Sequence, residues 1–144
     1  MSDVKAAALR LILKKRRTEK EVIDALIQRG YDEADAEDAA RHYRKEGYIN
    51  HLDYARRYAH DAAVLKGFGP QRITRALLER GVEEEYIEDA LAKIHFDITA
   101  GMEKRFGSGI LSAKEQNRIF QYYYRRGFRA SDIQKAMDEL YRYE

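Results

Sequence analysis

The chain has no cysteine, no tryptophan and a single proline among 144 residues. Without cysteine there is no disulfide and no thiolate zinc site, and nothing argues for an oxidising compartment. One proline and nine glycines, most of the glycines at expected helix ends, argue against long loops and sheets. No stretch alternates with period two for long enough to suggest a strand. No apolar run approaches the roughly 20 residues that cross a bilayer, so a membrane partner is not expected. A signal peptide is not expected either, because Leu9 to Leu13 is interrupted by Arg10 and followed at once by basic residues. A cytoplasmic helix is the reading there. A dominant charge is also missing. The 27 Lys and Arg against 25 Asp and Glu leave a net +2, too little to announce a nucleic-acid binder.

What is present is 44% hydrophobic and 36% charged, a balance that suits slender helices with much exposed area. The stretch from Lys66 to Ile94 carries the clearest signals. Gly69 and Pro70 open a helix, since proline's fixed φ suits the first helical position. Ile73, Ala76 and Leu77 share one face. Arg80 complements the last carbonyls, and Gly81 closes the helix. Glu83, Glu84 and Glu85 then start a second helix with Ile87, Ala90, Leu91 and Ile94 on its stripe.

The same signals recur along the chain. A first helix is expected over about residues 4–16, with Ala8, Leu9, Ile12 and Leu13 inward. Thr18 with Glu21 forms a capping box for a second helix. A third carries Ala36, Ala39, Ala40 and Tyr43. Asn50 is a reasonable N-cap for a fourth, with Tyr54, Ala55, Tyr58, Ala62 and Leu65 inward. A seventh helix near residues 97–106 is interrupted by Gly101, at a cost of about 1 kcal/mol relative to alanine. Gly107-Ser108-Gly109 reads as a flexible linker in which Gly109, unlike Gly81, needs no positive φ. Ser112 with Glu115 gives a second capping box, and Ile133, Ala136, Met137 and Leu140 line the last helix.

Aligning the glycine turns exposes a repeat. Arg29-Gly30-Tyr31, Arg80-Gly81-Val82 and Arg126-Gly127-Phe128 each follow a similar helix end. Six residues past each glycine comes Ala36, Ile87 or Ile133; nine past comes Ala39, Ala90 or Ala136. The fold expected is all-α, with three tandem three-helix, helix-turn-helix-like repeats over residues 1–48, 49–96 and 97–144. The period is about 45–50 residues. Such repeats contact chiefly their neighbours, which predicts an elongated curved arc.

At these residues the chain resembles the RecX family, bacterial regulators of the RecA recombinase. The resemblance rests on Gly47-Tyr48-Ile49-Asn50 with Asp53-Tyr54-Ala55, and on Lys66-Gly67-Phe68-Gly69-Pro70 with Arg72-Ile73. Leu77 with Arg80-Gly81-Val82, and Arg125-Arg126-Gly127-Phe128 with Asp132-Ile133, complete it. Family members usually carry an acidic residue where this chain has His51. The resemblance implies a monomeric, non-enzymatic protein that needs no cofactor and binds the RecA filament on single-stranded DNA. It implies lodging in the filament groove and hindering filament extension, strand exchange, ATP hydrolysis and co-protease activity, and so regulating DNA repair and the SOS response.

The residues themselves offer little catalysis. Ser2, Ser108, Ser112 and Ser131 sit at expected termini or caps, outside any G-x-S-x-G setting. His42, His51, His60 and His95 form no i, i+4 pair, so they read as surface or packing residues rather than metal ligands. The glycines lack the Gly-Lys-Ser/Thr ending of a phosphate loop. The acidic runs from Asp32 to Asp38 and Glu83 to Asp89 suit helix N-termini. Basic residues cluster more informatively. Arg16, Arg17, Arg44, Arg56, Arg57, Lys66, Arg72 and Arg75 are the candidate charge contacts, with Tyr48 as an aromatic anchor. A guanidinium fork suits carboxylates on a protein and phosphates on DNA equally well. The alternative is therefore direct binding to single- or double-stranded DNA.

Overall fold

The structure, a computed structural model, describes residues 3–144; of the four serines considered above, Ser2 lies outside them. Nine helices form in chain order among those residues: α1 (Asp3–Lys14), α2 (Glu19–Gln28), α3 (Glu33–Lys45), α4 (His51–Val64), α5 (Pro70–Glu79), α6 (Glu84–Ala92), α7 (Ile98–Phe106), α8 (Ala113–Arg125) and α9 (Ala130–Leu140). Local chemistry sets their ends. Thr18 and Ser112 each accept from the backbone N–H three residues on, while Glu21 and Glu115 accept from the cap's own N–H, so both capping boxes form. Asn50 accepts from the Asp53 N–H at 3.0 Å. Ser131 is different: it lies inside α9, whose N-cap, Arg129, makes no side-chain cap bond.

The three Arg-Gly-apolar turns share one geometry. Gly30, Gly81 and Gly127 have φ of 97°, 83° and 96°. The amide after each glycine reaches back to the carbonyls of Leu26, Leu77 and Tyr123 at 3.0–3.2 Å. This is the 6→1 bond of a Schellman ending. The sequence repeat is thus a repeat of one hydrogen-bonded turn.

The chain divides into two compact units, Met1–Tyr58 with Ala76–Leu91, and Ala59–Arg75 with Ala92–Glu144. Neither is one continuous stretch of sequence. In the first, α1, α2 and α3 pack on one another around Ala7, Ala8, Leu11, Val22, Leu26, Ala36, Ala39, Ala40 and Ile49. The alanines of α3 let the helices approach closely, and a fully buried leucine such as Leu26 contributes about 2 kcal/mol. The inward stripe of α1 is centred on Ala7, Ala8 and Leu11, and Leu13 is 70% exposed, against the expectation. Leu65 is likewise 75% exposed, because α4 ends at Val64 and no longer fixes its direction.

The second unit is aromatic. Met102, Leu111, Ile119, Tyr123, Phe128, Ile133, Ala136, Met137 and Tyr141 form its core. Tyr123 meets Phe128 edge-on at 5.7 Å, a favoured aromatic geometry. Two short strands, absent from the sequence reading, belong here. β1 (Gly109–Leu111) pairs in parallel with β2 (Tyr141–Tyr143), with Gly109 opposite Tyr141 and Leu111 opposite Tyr143. Part of the expected linker is therefore ordered by pairing. Gly109 also has φ 118°, so it, as well as Gly81, adopts a conformation that disfavours other residues. At three residues each, these strands are too short for period two to register.

Within this unit the start of α5 docks on the turn between α8 and α9. The Gly69 N–H donates to Arg126 O at 2.7 Å, and the Gln71 N–H to Gly127 O at 2.9 Å. A Cβ on Gly69 would lie 2.6 Å from Gly127 O, and one on Gly127 would lie 2.6 Å from Arg72 N. Two backbones meet where no side chain fits.

Gly101, inside α7, is a different case. Its only neighbour for an added Cβ is Tyr123 Oη at 4.0 Å, and its φ is not in the positive range. Gly101→Ala should therefore stabilise the protein by about 1 kcal/mol. A melting temperature that falls would show that the glycine is needed for the fold.

Candidate partner-binding surface

In the first unit, the segment after α1 and the start of α4 bring charges together. Asp53, in the first turn of α4, accepts from Arg16 Nε at 2.9 Å and from Arg57 Nε at 3.1 Å. Burial would raise the Asp53 carboxyl, but the hydrogen bonds from Arg16 and Arg57 outweigh it and hold it below its usual range. Arg17 donates through Nε to Leu11 O at 3.0 Å. Arg16, Arg17, Tyr48, Asn50 and Asp53 line a depression of about 250 Å³. Tyr48 is 57% exposed and rests edge-on against Tyr43 at 5.7 Å. The structure thus gathers Arg16, Arg17, Tyr48 and Arg57 at one place. Arg56, the residue before Arg57 on α4, pairs with Asp89 at 2.7 Å.

Arg44 sits in a different setting. Its Nη1 donates to Glu19 Oε1 at 3.1 Å and its Nη2 to Glu83 Oε2 at 2.6 Å. His51, 3% exposed, completes the network. The Glu19 N–H donates to its Nε2 at 2.9 Å, and its Nδ1 lies 2.6 Å from Glu83 Oε1. A backbone N–H can only donate, so Nε2 is the bare nitrogen and Nδ1 carries the proton. Burial pushes the Glu83 carboxyl up, but the bonds from His51 and Arg44 prevail and hold it down at about 2. The nearly buried histidine is thus tied to an acid, Glu83.

The remaining candidates belong to the second unit. Arg72 stacks its guanidinium on Phe68 at 3.7 Å from the ring centroid. The Lys66 carbonyl accepts from Arg126 Nη1 at 2.7 Å, and its side chain is exposed, as is that of Arg75. Arg75 forms no ion pair among the described residues. Tyr122 is half-buried, with Arg105 and Arg126 at 4.4 and 4.7 Å from its ring.

The sequence reading placed Asp53 in a motif and Glu83 to Asp89 at a helix start, but paired none of these acids with the cations. Asp53 and Arg57 stand at i, i+4, a spacing that could have been read. The Arg16–Asp53 and Arg56–Asp89 pairs join residues far apart in sequence and left no local signal. Among the described residues, no group of three or more His, Asp or Glu could hold a metal ion, and no helix is long and apolar enough to cross a membrane.

These features define a mainly helical protein with an arginine-rich, ion-paired surface. Models of the first and second three-helix domains of RecX match residues 5–40 and 50–91. The regulatory protein RecX of Halorhodospira halophila is 31% identical over 138 residues, covering 92% of this chain and 85% of that protein. The regulatory protein RecX of Caldanaerobacter subterraneus is 30% identical, covering 94% of this chain and 70% of its own length. A crystal structure of RecX from Lactobacillus salivarius shares the fold at TM-score 0.76 and 24% identity, over 96% of this chain and 94% of that one. The chain belongs to the RecX family of regulatory proteins.

Proposed function

We infer that this protein is a non-enzymatic regulator that binds the RecA filament on single-stranded DNA and limits its extension. Strand exchange, ATP hydrolysis and co-protease activity would be suppressed as a consequence. Three modules, residues 1–48, 49–96 and 97–144, would act together. The recurrence of one Schellman turn in each, and the domain matches inside the first two, support that division. Several weak contacts on successive filament subunits would reinforce one another through effective concentration, so a filament is bound better than a free subunit.

The observation that carries this reading is the pairing of four of the seven candidate arginines. Arg16, Arg44, Arg56 and Arg57 each hold a carboxylate of the same chain. Such a surface alternates in sign and offers no unbroken positive track for phosphates, while it suits the mixed charge of a protein coat. The rival, direct binding to DNA, predicts equal binding to naked and coated strands and a steep salt slope. Co-sedimentation with RecA-coated and naked single-stranded DNA over a salt series separates the two. Replacing Arg56 and Arg57 together by glutamate should weaken sedimentation with coated strands about tenfold while leaving helicity intact. Unchanged sedimentation would remove both residues from the contact.

A further inference from the structure

The second unit contains a cavity of about 600 Å³. Its walls are aromatic: Phe68, Phe96, Tyr122 and Phe128 all line it. Three cations, Lys104, Arg105 and Arg126, line it as well. None of the three forms an ion pair with a carboxylate among the described residues. Arg105 and Arg126 both lie against the Tyr122 ring, and Arg126 Nη1 is held by the Lys66 carbonyl. The forks are therefore positioned in advance. The one acid in the lining, Asp97, is engaged in capping α7 through the Ala100 N–H at 3.0 Å.

Gly101 also lines this cavity. It weakens α7, yet neither its φ nor a close neighbour requires a glycine. What its missing side chain leaves is room. An open aromatic hollow beside unpaired guanidinium groups is complementary to a bulky apolar side chain with carboxylates next to it. Base stacking on a nucleic acid would instead call for cations spaced along a strand. Here they gather at the C-terminal ends of α7 and α8.

We propose that this cavity receives a segment of the filament's protein coat, an apolar anchor flanked by acidic residues, seated in the space that Gly101 leaves open. The proposal rests on the function inferred above. Because the chain lacks tryptophan, Phe96→Trp supplies a unique fluorophore in the cavity wall. On adding RecA-coated single strands its emission should shift and become protected from acrylamide, and naked strands should leave it unchanged. Gly101→Leu should melt no lower than the parent and yet sediment with coated strands at least tenfold more weakly. Lys104→Glu with Arg105→Glu should lose a similar factor. If the parent protein fails to sediment, the inferred function fails and this site with it. If the parent sediments while the Phe96→Trp emission is unmoved and Gly101→Leu binds equally, only the cavity assignment is overturned. A response to naked strands overturns it in favour of nucleic acid.

Discussion

Gly127→Ala should destabilise the protein by about 3 kcal/mol or more, whereas Gly30→Ala should cost about 1 kcal/mol. The two glycines occupy equivalent places in the sequence repeat, and their φ values of 96° and 97° match. Backbone strain for an L-residue is therefore nearly the same in both, about 1–2 kcal/mol. Their surroundings differ. A Cβ on Gly30 meets nothing within 4 Å, while one on Gly127 would press on Arg72, with its backbone nitrogen 2.6 Å away. A backbone atom cannot swing aside as a side chain can, so the junction between α5 and the α8–α9 turn would have to open. Overpacking of that kind adds about 1–3 kcal/mol. For a chain of this size the drop in melting temperature should be roughly 10 °C for Gly127→Ala. Equal melting temperatures for the two variants would show that the close approach carries no energy.

The second large effect concerns Glu83. Glu83→Ala should lower stability at neutral pH by about 2 kcal/mol, because it strips the nearly buried His51 of the acceptor for its Nδ1 proton. Arg44 keeps Glu19. The sign of the pH dependence follows from the carboxyl itself, held at about 2 in the fold against an ordinary 4.5. Above about 4.5 the unfolded chain is ionised too, and the full contribution is present. As pH falls from 4.5 towards 2, the unfolded state takes up a proton that the folded state resists, and the contribution fades. Urea titrations of parent and variant should therefore converge across that window. A gap that stays constant to pH 2.5 would mean that Glu83 acts through shape rather than charge.

Much of the helical framework was legible because its signals are local. Thr18 with Glu21, Ser112 with Glu115 and the three Arg-Gly turns each act within a few residues, and each forms as read. Reading inward faces from spacing worked where helices are fully packed, as for Ala36, Ala39 and Ala40. It failed at Leu13 and Leu65, at or beyond the ends of their helices, where neighbours decide. The partner-binding candidates were legible as a set of cations but not as an arrangement. Nothing near Arg16 announces Asp53, nothing near His51 announces Glu83, and nothing in Gly69 announces Gly127. The β1–β2 pairing and the cavity beside Gly101 likewise depend on residues that the sequence keeps apart.

The interleaving of the two compact units in sequence has a consequence for biosynthesis. The segment Ala59–Arg75 emerges from the ribosome ahead of all of Ala92–Glu144, the rest of its own unit. At ordinary translation rates that delay is on the order of seconds. During it, the backbone of Gly69 still lacks the turn that receives it. Until the Gly127 turn has been made, the start of α5 goes without the backbone partners that it has in the finished fold.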